Sequence, residues 1–287
     1  MNKQYVETIV EKFSKKVDEK HMQQTIAEAK QEIEKYKTVE NYKLIYSFID
    51  LTSLNTTDNR NTIIKLCERV NNFAEAHSSL PNVAGICVYP NFLETLNQYL
   101  NADNVSKVVV SGAFPSAQTF FSIKLSEVNL SAEKGADEID IVINVGEMLN
   151  NNYELVYKEL LLMRHAAEKS HLKVILETGA YSDIEHIRIA SLLAMEAGAD
   201  FIKTSTGKIN VSATPEAAYI MLTAIKDYYE ATGKRIGFKP AGGISTPDDA
   251  LLYMILTEKI VGKEWLTPSL FRIGASRLAG KIEEKII

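Results

Sequence analysis

Three runs, EIDIVINV (138–145), KVILET (173–178) and DFIKTS (200–205), set the architecture of this chain. Each is short, apolar and rich in β-branched residues. Between them lie segments of helical periodicity, roughly 151–170 and 183–198. Strands separated by a helix return to the same end of the sheet and therefore run parallel. The alternation continues outward on both sides. Upstream stand LIYSFID from 44, VAGICVY from 83 and KVVVSGAF from 107; downstream stand RIGFKPA from 235 and FRIGAS from 271. Further helical segments fall near 58–78, 91–103, 117–135, 215–232 and 247–260, and a last one opens near 276. Eight strand–helix units in one uninterrupted run predict a single (β/α)8 TIM barrel of the α/β class. A doubly wound open sheet would carry GxGxxG after its first strand, and none is there.

The barrel reading assigns residues 43–287 to the catalytic domain and residues 1–42 to an N-terminal helical extension. In the extension Val6, Ile9, Val10, Phe13 and Val17 recur at helical spacing, as do Met22, Ile26, Ala29, Ile33 and Tyr36. These helices are expected to cover the base of the barrel, with a homodimer contact as the alternative. The 287 residues carry a net charge of −5, so no basic stripe exists to neutralise a nucleic-acid backbone. No run approaches the ~20 apolar residues of a membrane helix, and the first residues lack a signal-peptide core. A cytoplasmic protein with neither nucleic-acid nor membrane partners is expected. Cys67 and Cys87 are too few and too far apart for a zinc site or a redox pair. His21, His77, His165, His171 and His186 show no ligand spacing, and none falls at a predicted strand end. Chemistry without a metal is therefore expected.

Parallel strands are covered on both faces, which makes a charged residue inside one informative. In EIDIVINV, alternation sends Ile139, Ile141 and Ile143 to one face. Asp140 then shares the other face, the barrel interior, with Glu138, Val142 and Asn144. A carboxylate there must be paired, since isolated burial costs several kcal/mol. Lys203 in FIKTSTGK and Lys239 in IGFKPAGG are the available partners. Two buried lysines on neighbouring strands disfavour each other's charge, as a Schiff-base nucleophile requires. Bringing a lysine from ~10.4 to ~7 costs roughly 4–5 kcal/mol, within reach of burial plus one cation. The residues alone leave open that both lysines are rim groups binding phosphate, and that Asp140 is a structural partner.

Gly242 and Gly243 follow the seventh strand; Gly274, Ala275 and Ser276 follow the eighth and open the last helix. Barrels commonly hold phosphate with these two loops and a helix N-terminus. Gly207 and Lys208 after the sixth strand add to the set, without forming a Walker loop. Together they favour a small phosphorylated substrate.

At GADFIKTSTGK (198–208), GFKPAGG (237–243) and GADEIDIV (135–142) the chain resembles the deoxyribose-phosphate aldolases. The resemblance extends through IDLTSLN (49–55), ICVYPNF (86–92), ILETG (175–179), NVSATPE (210–216) and FRIGAS (271–276), in order over roughly 44–280. It implies a class I aldolase cleaving 2-deoxy-D-ribose 5-phosphate to acetaldehyde and D-glyceraldehyde 3-phosphate, without metal or organic cofactor. Carried over by motif, Lys203 is the Schiff-base nucleophile, Lys239 the lysine that depresses its pKa, and Asp140 the carboxylate of a water-mediated proton relay. Gly207, Lys208, Gly242, Gly243, Gly274 and Ser276 become the phosphate pocket. Asp50 and Thr52 become the pair near the substrate hydroxyls and the lysines.

The chain departs from the pattern at three places. FPSA (114–117) stands for FPxG, which implies a third loop of different shape. Arg277 follows Ser276 where several relatives have a second serine, adding a cation to the phosphate pocket. The chain ends KIEEKII where some relatives end in an assisting tyrosine, so that assistance is expected to be missing or replaced. Two alternatives compete: a Schiff-base aldolase for a related phosphosugar, and a silent barrel that only binds one.

Overall fold

The structure, a computed structural model, describes residues 3–13 and 16–287; Met1, Asn2, Ser14 and Lys15 of the N-terminal segment lie outside it. Three helices come first: α1 (Lys3–Lys12), α2 (Glu19–Tyr36) and α3 (Val39–Ser47). Then β1 (Ile49–Thr52), α4 (Arg60–Ala76), β2 (Gly85–Val88), α5 (Leu93–Tyr99), β3 (Ser106–Ser111) and α6 (Phe121–Glu133) alternate. The centre of the chain forms β4 (Glu138–Val142), a short α7 (Val145–Leu149), α8 (Tyr153–Ala166), β5 (His171–Ile175) and α9 (Ile184–Glu196). The remainder is β6 (Phe201–Lys203), α10 (Pro215–Thr232), β7 (Gly237–Lys239), α11 (Pro247–Val261), β8 (Ile273–Ala275) and α12 (Leu278–Ile286).

All eight strands are parallel, in the order β7-β6-β5-β4-β3-β2-β1-β8. The sheet closes on itself through parallel bridges from Phe238 to Phe271 and from Ala241 to Gly274. This is the (β/α)8 barrel that the alternation predicts. Helix starts follow local chemistry. Thr214 and Thr246 cap α10 and α11 by accepting from Ala217 and Asp249 amides, each followed by a proline whose missing N–H costs nothing there.

The first predicted strand is corrected. Leu44–Ser47 complete α3, capped by the Thr38 side chain, and β1 begins only at Ile49. Tyr42, Ile45 and Tyr46 are buried while Leu44 is exposed, a helical rather than an alternating pattern. The boundary read between residues 42 and 43 falls inside α3. EIDIVINV is also shorter than read: the strand ends at Val142, and the Asn144 side chain caps α7 by accepting from the Glu147 amide. His171, which was expected to lie away from a strand end, opens β5 and is exposed. Helices α1 and α2 lie against the outer helices, α1 on α8 and α9 and α2 on α10 and α11.

Ile139, Ile141 and Ile143 join the large apolar core with the outer helices, as alternation requires. The interior layer facing them is unusual. Phe201 points inward from β6, and a Cβ on Gly237 of the next strand would lie 2.3 Å from its ring. Only glycine leaves room for that ring, over which Lys173 and Arg272 each sit at 5.9 Å. A Gly237→Ala protein is therefore expected to be overpacked by roughly 1–3 kcal/mol or more. Thermal unfolding should show the loss as a melting point several degrees lower; an unchanged melting point would mean the ring moves freely.

Candidate active site

Barrel interiors are usually filled by branched apolar residues. Here seven charged side chains, Asp50, Glu138, Asp140, Lys173, Lys203, Lys239 and Arg272, are all buried in the middle of the barrel. Strand register brings them together: Lys203 lies beside Lys239 across β6 and β7, and Asp140 beside Lys173 across β4 and β5. Their contacts form a closed ring of alternating charge. Arg272 reaches Asp50 Oδ1 at 2.6 Å, Asp50 Oδ2 meets Lys239 Nζ at 2.5 Å, and Lys239 meets Asp140 Oδ2 at 2.7 Å. Asp140 Oδ1 then accepts from Lys173 at 3.1 Å, Lys173 pairs with Glu138, and Glu138 Oε1 returns to Arg272 at 2.7 Å. Three carboxylates alternate with three cations, each member touching at least two of opposite sign, and Lys173 also lies 3.9 Å from Asp50 Oδ2 across the ring. Lys203 stands outside the ring, held at 2.8 Å by Asp140 Oδ2 alone among the described residues.

That arrangement separates the lysines. Burial lowers the Lys203 pKa; Asp140 opposes the effect, and the Lys239 cation deepens it. Lys239 is as deeply buried, but Asp140 and Asp50 outweigh the burial and hold it charged, with its pKa raised. Lys173 is likewise raised, by Asp140 and Glu138 acting against burial. Burial pushes the Asp140 carboxyl up, but Lys173, Lys203 and Lys239 overcome this and leave it well below the usual carboxylate range. Ring members satisfy one another, so the cation outside the ring is the one whose pKa falls. Burial pushes the nearby Cys87 thiol up to about 11, with Asp140 adding to it, which suits a small buried apolar group.

Above the ring, at the C-terminal ends of the strands, lies a cavity of about 580 Å³. Lys203 lies in its wall, whereas Lys239 and Lys173 do not. The wall also includes Thr52, Gly207, Lys208, Gly242, Gly243, Gly274, Ser276 and Arg277, and no carboxylate. The residues read as a phosphate pocket are thus brought to one mouth. Gly242 has φ +81°, and a Cβ there would stand 2.6 Å from Ser212, so the backbone can follow this path only as glycine. Thr204 fixes the neighbouring strand ends, its hydroxyl bridging the Ala241 amide and carbonyl. Glu177, itself buried, accepts from the Thr206 amide and hydroxyl, and Thr206 in turn accepts from the Lys208 amide. Lys208 Nζ donates to the Leu54 carbonyl, tying the sixth loop to the first. Arg277 makes no hydrogen bond or ion pair among the described residues.

Asp50 is placed differently from Thr52. Thr52 lines the cavity and donates to the Asp50 carbonyl at 2.8 Å. The Asp50 carboxylate points down into the ring and lies away from the cavity wall. The third loop, FPSA, keeps Ala117 at φ +55°, in the left-handed region that a glycine would favour.

Lys173, Arg272 and Glu138 are missing from the sequence-derived site, although their strands carried the signal. Lys173 precedes Val174 and Ile175 in KVILET, and Arg272 stands between Phe271 and Ile273. Both repeat the pattern that marked Lys203, a cation at an inward position of an apolar strand. Glu138 was already on the Asp140 face.

A parallel barrel whose interior holds a lysine of lowered pKa beside a balanced charge ring, under a cation-lined mouth, belongs to the Schiff-base class of lyases. The DeoC/LacD family aldolase model matches residues 44–275, and the chain belongs to that family. The human deoxyribose-phosphate aldolase is 42% identical over 250 residues, covering 84% of this chain and 79% of the relative. That of Agrobacterium fabrum is 42% identical over 234 residues, 81% of this chain and 86% of its own. A tetrameric deoxyribose phosphate aldolase from Aeropyrum pernix superposes with a TM-score of 0.64 over 89% of this chain and 95% of its own, at 23% identity, and shares the fold.

Proposed function

We propose that the protein cleaves 2-deoxy-D-ribose 5-phosphate into acetaldehyde and D-glyceraldehyde 3-phosphate through an imine on Lys203. The observation that carries this reading is the position of Lys203: outside the balanced ring, with its pKa lowered, and open to the cavity. Its neutral amine adds to C1 of the open-chain aldehyde, and loss of water from the carbinolamine leaves a cationic imine. The C2–C3 bond then breaks. Its electron pair passes into the enamine, and the C3 hydroxyl loses its proton as C3 becomes the aldehyde of glyceraldehyde 3-phosphate. The enamine takes a proton at C2, and water hydrolyses the resulting imine, releasing acetaldehyde and Lys203.

Asp140 and Lys239 handle the protons, the carboxylate through a water that meets the C3 hydroxyl. A carboxylate flanked by three cations holds a proton only briefly, which makes Asp140 a relay rather than a store. The same charge stabilises the cationic imine as it forms. Asp50, deep in the ring, keeps Lys239 charged. The amides of Gly207, Gly242, Gly243 and Gly274, the Ser276 hydroxyl and Lys208 anchor the phosphate, so that C1 reaches Lys203. No metal or organic cofactor enters these steps. A cytoplasmic location and a homodimer belong to the same reading. Hydrodynamic mass with and without residues 1–42 tests the dimer.

The direct test is borohydride reduction in the presence of 2-deoxyribose 5-phosphate, followed by peptide mass spectrometry. A reduced adduct on Lys203 is expected. An adduct on Lys239 would exchange the roles of the two lysines; none on either, with folded protein, would favour a barrel that only binds.

Arg277 supplies a second expectation. Its guanidinium is unengaged at the cavity wall, and the fork of donors suits a phosphate. Arg277→Ser should raise KM for the phosphorylated sugar roughly tenfold and leave turnover of unphosphorylated 2-deoxyribose unchanged. Equal effects on both substrates would remove Arg277 from phosphate recognition.

A further inference from the structure

We propose that Arg272 and Glu138, which touch neither the cavity nor Lys203, act as positioning residues that set whether Lys203 carries a proton. The inference rests on Lys203 being the imine-forming amine. It follows from the closed ring rather than from any single contact. Asp140 has two ring cations, Asp50 has two in close contact with Lys173 as a third at 3.9 Å, and Arg272 and Lys173 both grip Glu138. With the ring balanced at three charges of each sign, Lys203 is surplus.

The groups facing Lys203 are Asp140 from β4, Lys239 from β7 and Cys87 from β2. Lys173 from β5 and Asp50 from β1 stand one contact further away. Glu177, beyond β5, is occupied by Thr206. None of these is free to take up a change in ring charge as readily as Lys203, whose only ion-pair partner among the described residues is Asp140. Arg272 cannot shed its proton, since burial is outweighed by Asp50 and Glu138 and its pKa is raised further. Its charge is therefore a fixed quantity, with Glu138 its counterweight on the far side of the barrel.

The signs follow from counting. Arg272→Gln leaves two cations against three carboxylates, so Lys203 keeps its proton as the third cation. The acid limb of the kcat/KM profile then moves to higher pH. Glu138→Gln leaves three cations against two carboxylates, and the limb moves to lower pH. The double variant leaves two against two, and the limb returns toward its original position. Arg272→Lys preserves the count but not the fork, and leaves the limb in place. A merely structural role for either residue would lower activity without moving the limb in opposite directions.

The experiment measures the pH profile of kcat/KM for 2-deoxyribose 5-phosphate in all five proteins, each checked for folding by circular dichroism. Borohydride trapping on wild type runs in parallel. Each pH unit of limb movement is tenfold in kcat/KM at a fixed pH on the limb. About one unit upward for Arg272→Gln and a downward movement for Glu138→Gln are expected. Single variants moving in the same direction, folded variants that do not move, or a double variant displaced further than either single would overturn the inference. Should Arg272→Gln fail to fold, Glu138→Gln and Arg272→Lys decide it: movement in the first and none in the second supports it, and any other pairing overturns it. Absence of a Lys203 adduct in wild type refutes the underlying reading instead; an adduct with unmoved limbs refutes only this inference.

Discussion

Lys203→Met is expected to lose the borohydride-reducible adduct completely and to reduce kcat/KM on the order of 10⁴-fold or more, the scale of losing a covalent nucleophile. Yet its stability should match or exceed that of the original protein. The reason is that Lys203 is a buried amine whose pKa is lowered by burial. A base with a depressed folded-state pKa binds protons less readily folded than unfolded. Its cost to stability is full below the folded value and relieved as pH rises toward about 10.4. Methionine fills a similar volume without that cost and leaves the balanced ring intact. Thermal melts at neutral pH, set beside the adduct assay, check both halves. A marked drop in melting temperature would show that Lys203 is a structural cation after all.

Lys239→Met should behave in the opposite way. Its removal opens the ring and leaves Asp50 and Asp140 each short of a cation, where both are buried. Breaking such a buried pair costs about 3–5 kcal/mol, which for a protein of this size lowers the melting point by roughly 5–8 °C. Lys203 then becomes the replacement cation and retains its proton, so activity falls at neutral pH and recovers only in part on the alkaline side, because Lys239 also handles protons. The pH dependence of stability has a definite sign as well. In the original protein Asp50 and Asp140 are held below their usual values. Burial opposes this in both, and for Asp50 the Lys239, Arg272 and Lys173 charges prevail. Their contribution is present above an ordinary carboxylate value of about 4 and is lost as pH falls through the lower folded-state values. Lys239→Met should therefore unfold at a higher pH than the parent in an acid titration. An acid midpoint identical in the two proteins would mean that Lys239 contributes little to holding those carboxylates ionised.

Much of the fold was legible because a parallel barrel repeats one local rule eight times. Short β-branched runs between amphipathic helices can be counted, and Thr-Pro starts such as Thr214–Pro215 and Thr246–Pro247 mark helices directly. The rule failed at LIYSFID, where aromatic and branched residues satisfy a helix end as well as a strand. There the cap at Thr38 and the burial of Tyr42, Ile45 and Tyr46 against the rest of the fold select the helix.

The site divides along the same line. Period-two alternation was enough to turn Asp140 inward, and apolar neighbours marked Lys203 and Lys239, because a strand's two faces are fixed by its own backbone. Ionisation is not fixed that way. Which lysine has its pKa lowered depends on charges brought from β1, β4, β5, β7 and β8, with Arg272 meeting an Asp50 that is 222 residues away. The sequence by itself determined which side chains enter the barrel. Only closure of the barrel determined which lysine is left over, because Coulomb energies follow distance through the interior and not position along the chain.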